Sequence, residues 1–212
     1  MKNFDIVSQL SSLTHLGAGW IMWLLIALSV ASVAVMVERA ILLVRSGDDI
    51  QRLRNALLPH LFARDFHGAR EVAAQSRSYE ARVLRAGLDA VADGASTAEQ
   101  RMAGASTLAR LAMEKRLAFL GTVGSNAPFV GLLGTVIGIV RSFAALEASG
   151  GKVSASLMSE VGEALVATAI GILVAIPAVA AFNAFQRVIK ARLSNAEALS
   201  RELVAQLSSE RV

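Results

Sequence analysis

The sequence predicts an all-α membrane protein: three transmembrane helices, long cytoplasmic helical extensions and a periplasmic N-terminus. Three observations carry this. Residues 17–37, 117–140 and 164–186 contain no charge, and each matches the ~20 apolar residues a helix needs to cross a bilayer core. The 212-residue chain is 54% hydrophobic, with a mean hydropathy of +0.53, yet only 5% aromatic. Its apolar content is therefore Ala, Val, Leu, Ile and Gly, which suits closely packed membrane helices better than a soluble β-rich core. Finally, the basic residues are segregated. Of 21 Lys and Arg, 13 lie between Arg39 and Arg116 and five from Arg187 onward. The positive-inside rule makes that side cytoplasmic.

The expected order follows from these points. Residues 1–16 form a periplasmic segment in which Phe4, Val7, Leu10 and Leu13 share one helical face; a surface helix and a plain tail both fit. Residues 17–37 are the first span, with Trp20 and Trp23 near its start, where an interfacial belt places such rings. Its length, and the basic residues following it, mark a retained anchor and not a secretory signal. Residues 38–116 are a cytoplasmic helical region, 117–145 the second span, 146–157 a periplasmic loop, 158–186 the third span and 187–212 a cytoplasmic C-terminal helix.

Within 38–116, Ile50, Leu53, Leu57, Leu58 and Leu61 have helical spacing, interrupted by Pro59. Val83, Leu84, Leu88 and Val91 form a second stripe ending at Asp93-Gly94. Ser96 and Glu99 have the spacing of a capping box. No strong breaker follows before Pro128, so one helix is expected to continue from the cytoplasm into the second span. The third span is expected to run on through Val188, Leu193, Leu199 and Leu203. These long helices would project tens of ångströms below the membrane.

The spans carry the candidate functional residues. In span two, Gly124, Gly131 and Gly138 recur every seven residues, and Gly134 pairs with Gly138 as small-xxx-small. Each Gly costs ~1 kcal/mol against Ala in a helix, so such a stripe predicts close packing against other helices. In span three, Pro177 frees a backbone carbonyl and is expected to kink the helix. Glu163 is the acidic residue placed to enter the membrane; a pathway carboxylate and a headgroup-level Glu both fit its position. Spans two and three are antiparallel, so Thr135 and Thr168 can face one another at similar depth. A membrane Thr more often bonds back to its own helix than lines a pathway. Glu163 and Thr168 are ~140° apart around the helix and cannot share one narrow stripe.

Other chemistry is excluded quickly. The chain has no Cys, which removes disulfides, thiolate metal sites and Cys nucleophiles. His15, His60 and His67 lack ligand spacing, Gly151-Lys152 does not make a P-loop, and no nucleophile–base set is visible. No enzyme, metal or cofactor is expected. The basic region interleaves acidic residues and has no aromatic platform, so no nucleic-acid partner is expected either.

Two segments resemble a known family. Residues 126–136 read Asn-Ala-Pro-Phe-Val-Gly-Leu-Leu-Gly-Thr-Val, similar to the A-P-L-L-G-L-L-G-T-V signature of the ExbB/TolQ/MotA proton-channel family. Residues 163–179 are similar to its E-A-L-x-A-T-A-x-G-L-x-V-A-I-P-A-V signature. Three spans place the chain nearer ExbB and TolQ than four-span MotA, with a lean to ExbB. The resemblance implies a multi-pass protein of the bacterial inner membrane that forms a homo-oligomeric pentamer. In it, spans two and three line a pore around single-span helices of an ExbD/TolR-like partner, and a TonB- or TolA-like third component receives the work. By the same match Thr135, Thr168 and Glu163 become proton-pathway residues, while Gly124, Gly131, Gly134, Gly138, Pro128 and Pro177 become packing and kink positions. An ExbB-like subunit driving TonB-dependent uptake is implied first and a TolQ-like subunit acting at outer-membrane constriction second. A non-conducting scaffold is the rival class. A small-molecule transporter would show inverted repeats, and none is seen.

Overall fold

The computed structural model describes residues 19–209, and among them there is helix and no strand. The N-terminal segment 1–16, with His15 and the first residues of span one, lies outside the described residues. In chain order the helices are α1 (Gly19–Arg45), α2 (Ile50–Phe62), α3 (Phe66–Gln75), α4 (Tyr79–Leu88), α5 (Ala95–Glu114), α6 (Leu117–Ala148) and α7 (Ala155–Ser208), with a 3-10 turn at Val91–Asp93. Three of them, α1, α6 and α7, are long and apolar enough to cross a membrane. The chain divides into two compact units. One comprises Met1–Val37 with Leu117–Phe182, and the other Glu38–Arg116 with Asn183–Val212.

In the first unit three helices share one core. Ile21 and Leu25 of α1 meet Val123, Ala127 and Ile137 of α6 and Val174, Ala175 and Ala178 of α7. Away from that core, α1 exposes Trp23, Val30, Val33 and Val37. An all-apolar outer stripe of this kind is what lipid contact requires.

In the second unit, Leu57 and Leu61 of α2, Leu84 and Leu88 of α4, Met102 and Met113 of α5, and Ile189, Leu199 and Leu203 of α7 are almost wholly buried. Short polar residues start the small helices, because their oxygens can accept the unpaired amides of a first turn. Asp49 accepts from the Gln51 and Arg52 amides, Asp65 from Gly68, and Ser78 from Ala81. At Asp65 this amide bond, reinforced by His60 Nδ1 at 2.9 Å, holds the carboxyl below its usual range. The guanidinium of Arg192 closes the end of α1, donating to the Leu43 carbonyl at 2.6 Å and to the carbonyl and hydroxyl of Ser46 at 3.0 Å. A cation at a helix C-terminus also meets the negative end of the helix dipole.

Glu80 is unusual in this core. It is 5% exposed, and its Oε2 has no hydrogen-bond partner. Burial pushes its carboxyl above the ordinary Glu value; nearby Arg192 opposes the shift and Asp48 adds to it. The charged form thus carries a penalty that is fully present above the raised folded pKa and absent below the unfolded value. Glu80→Gln is therefore expected to raise the melting temperature of the detergent-solubilised protein at neutral pH. A rise of about 2–4 °C would follow from roughly 1 kcal/mol of relief. The gain should shrink as pH falls through the raised pKa, and thermal melts at pH 7 and pH 4.5 check this. A gain that persists unchanged at low pH would contradict it.

The structure corrects three sequence expectations. The helix that should have continued into span two breaks: α5 ends at Glu114, Lys115 is extended, and Arg116 takes a left-handed φ of 65°. No Gly or Pro marks the break, and a non-Gly residue there costs roughly 1–2 kcal/mol. The conformation is held by distant partners. Arg116 donates to Glu38, and Arg39, 3% exposed, pairs with Glu38 at 2.8 Å and donates to the Ala112 carbonyl at 3.3 Å. Second, Ser96 does not cap a helix. Gly94, at φ 95°, turns the chain and serves as N-cap, so Ser96 already lies inside α5. Third, Pro59 does not interrupt α2, which runs to Phe62, with Leu57 and Leu61 buried on either side of it. Pro128 and Pro177 likewise lie inside unbroken helices.

Candidate functional site

The antiparallel contact between α6 and α7 is built on the absence of side chains. A Cβ at Gly131 would lie 2.7 Å from the Ala167 carbonyl oxygen and 2.9 Å from Thr168 Cα; one at Gly171 would lie 2.6 Å from the Ala127 carbonyl oxygen. These neighbours are backbone atoms, so only glycine permits the approach. Gly124 meets Val179, Gly134 meets Ala167, and Gly138 meets Ala164. The whole predicted stripe therefore packs against α7 of the same chain. Gly171 was missed. A lone Gly between two Ile gives little signal, but the small-residue spacing Ala164, Ala167, Gly171, Ala175, Ala178 is the pattern that marks it.

Close approach brings the two threonines together. Thr168 Oγ1 lies 3.0 Å from the Gly131 carbonyl and 3.3 Å from Thr135 Oγ1, while Thr135 Oγ1 donates to the Leu132 carbonyl of its own helix at 2.7 Å. The two alternatives open in the sequence thus divide: Thr135 bonds within its helix, and Thr168 bonds across to α6. Thr135 is 8% exposed and Thr168 half-buried. The pair forms a small polar point inside an otherwise apolar contact. Hydroxyls both donate and accept, so such a point can pass a hydrogen bond to water or to a partner group at its edge.

Glu163 is not part of that contact. It is exposed and has no hydrogen bond or ion pair among the described residues. Glu160, one turn earlier, is the acid that packs against α6: its Oε1 is 3.8 Å from Arg141 Nη2. Arg141 therefore leaves Glu163 unpaired. Among the described residues no group of acids and histidines is arranged to hold a metal.

These features define a class: a multi-pass, all-helical membrane protein with a hydroxyl pair at a glycine-built helix contact and an unpaired acid toward one end of it. Residues 75–198, more than half of the chain, match the MotA/TolQ/ExbB proton channel family. The chain belongs to that family. Among curated relatives, it is 43% identical over 91 residues to the biopolymer transport protein ExbB of Xanthomonas campestris pv. campestris, covering 43% of this chain and 36% of that protein. It is 51% identical over 73 residues to the Tol-Pal system protein TolQ of Pseudomonas aeruginosa, covering 34% and 32%. It is 47% identical over 77 residues to an ExbB-like 2 biopolymer transport protein of Helicobacter pylori, covering 36% and 51%. The matched region thus spans about a third to a half of the length of these relatives.

Proposed function

We propose that this chain is the channel-wall subunit of an inner-membrane motor that uses the proton motive force, ExbB-like in its branch. It assembles as a pentamer around the single-span helices of an ExbD/TolR-like partner and passes work to a TonB-like third component. The Thr168–Thr135 contact carries this reading. A pair of hydroxyls at a helix contact gives a scaffold only a small gain in stability, but it offers a proton carrier a hydrogen-bonding wall. Among the described residues no mid-membrane Asp or Glu lies on the threonine face, so the carrier carboxylate belongs to the partner. Protonating it removes a charge and changes which part of the wall its helix favours. One charge moved across 100 mV is worth ~2.3 kcal/mol, enough to bias such a step. TolQ is also among the relatives, so a TolQ-like role with a TolA-like third component is the second reading.

The test is proton flux in vesicles holding the chain with its partner. Thr135→Val together with Thr168→Val is expected to stop flux, while Ser at both positions sustains it. Because Thr168 bonds across helices, the Val pair should also lose stability, by about 0.6 kcal/mol for an interhelical hydrogen bond in a membrane. Equal flux in both pairs would remove the threonines from the pathway.

A further inference from the structure

The outer face of α6 changes character along its length. Phe129, Leu132, Leu133 and Val136 are exposed and apolar, as on α1. One to two turns nearer Leu117, Thr122, Ser125 and Asn126 are exposed on the same face, at i, i+3 and i+4. This places an amide and two hydroxyls well inside a span. Each polar group spends a donor on its own helix: Thr122 on the Ala118 carbonyl at 2.9 Å, Ser125 on Gly121 at 2.8 Å, and Asn126 Nδ2 on Thr122 at 2.8 Å. On these exposed residues the hydroxyl lone pairs, one amide proton and the whole Asn126 Oδ1 are left without a partner among the described residues. Polar side chains in a span face a bundle interior or a water-filled cavity, because hydrocarbon offers them no partner. The α1 stripe shows how a lipid-facing surface of this chain is composed, and it holds no such group.

We infer that the Thr122–Ser125–Asn126 face of α6 borders water inside the membrane and forms a second polar station on the proton path, with Asn126 Oδ1 as its outward acceptor. The role in conduction rests on the proposed function; the wetness of the face does not. Asn126 is nine residues from Thr135, about 13 Å along the helix, and on the opposite side of it. No direct hydrogen bond joins the two stations, so water or the partner's polar group must cover the gap. The stations differ in kind. The threonine pair is tucked into a helix contact, whereas this one is an open acceptor surface.

The chain contains no Cys, so a single introduced thiol reports its own surroundings. Asn126→Cys and Ser125→Cys, in the full chain co-assembled with its partner in vesicles, would be treated with a positively charged, membrane-impermeant methanethiosulfonate. Val30→Cys on the α1 stripe serves as the lipid-facing reference. A thiol reacts as its thiolate, which forms only where water reaches it, so both α6 variants should react at least about tenfold faster than the reference. Ser125→Cys keeps the test open if Asn126→Cys fails to assemble. Reaction as slow as the reference at both positions would overturn the inference. For the role in conduction, Asn126→Leu should cut flux sharply while Asn126→Ser retains it; full flux in the Leu variant would strike that role. If the α6 thiols react but vesicles holding the unsubstituted chain with its partner show no proton flux, the wet face stands and the motor reading falls.

Discussion

Replacing Glu163 by Gln or Ala is expected to abolish proton-driven output while leaving the assembly intact. Among the described residues the side chain is exposed and unpaired, and the neighbouring Glu160 takes up Arg141. Gln keeps the size and the hydrogen-bonding reach but cannot hold or release a proton at working pH. On the proposed function Glu163 handles protons, and loss of such a group lowers a rate by about two orders of magnitude or more, so flux should fall to background in both variants. Native gels should show an unchanged assembly, because this side chain is exposed and makes no hydrogen bond or ion pair among the described residues. Glu160→Gln is the informative contrast. It breaks a long, half-exposed ion pair of the kind worth about 0–1 kcal/mol, and flux should survive. Full flux in the Glu163 variants would return this residue to the headgroup level.

The other large effect is expected at Gly131. Gly131→Ala places a methyl group 2.7 Å from the Ala167 carbonyl oxygen and 2.9 Å from Thr168 Cα. Neither atom can yield unless the helices part, and parting them also breaks the Thr168 bond to the Gly131 carbonyl. Overpacking of this kind costs about 1–3 kcal/mol, and Gly131→Leu should prevent the fold altogether. Gly134→Ala should also destabilise, because Ala167 Cβ, 2.8 Å away, is fixed to its backbone and cannot turn aside, whereas Gly121→Ala meets only the Phe182 ring at 3.4 Å and should be milder. Gly162→Ala meets nothing within 4 Å, and Ala is the better helix former, so it should be neutral or stabilising. Melting temperatures and yields in detergent rank the set. Wild-type stability in Gly131→Ala would show that the helix contact is not as close as described. Because the stripe faces α7 of its own chain, these variants should lose the monomer fold and not merely its oligomerisation.

How much of this was legible in the sequence depended on how few alternatives the physics left. Hydrocarbon tolerates little, so the three spans could be read from uncharged runs alone. The depth match of Thr135 and Thr168 followed from antiparallel spans and a short loop. Their bonding did not, because whether Thr168 bonds back or across is decided by how near the Gly131 backbone comes. That distance in turn depends on Gly171, which the span-two motif does not contain. The break at Lys115 and Arg116 was hidden for a similar reason. Arg116 is stabilised in a left-handed conformation by Glu38, 78 residues away, and no local preference announces it. At Ser96 the local signal was real but was pre-empted, since Gly94 had already turned the chain. Glu163 was visible as a candidate, yet its freedom became clear only once Arg141 was found against Glu160.

The glycine contact also bears on where this molecule is stiff. At Gly131 and Gly171 the two helices meet backbone to backbone, with no side-chain layer to shear or compress, and only the short side chains of Val179, Ala167 and Ala164 fill the contact at Gly124, Gly134 and Gly138. Such a pair behaves as a stave. In the assembly proposed above, a cylinder of such staves, any turning or tilting of an enclosed axle would be taken up at the seams between staves or by the axle itself. A wall that flexed would dissipate each proton's step as local strain. A stiff one would return it as torque.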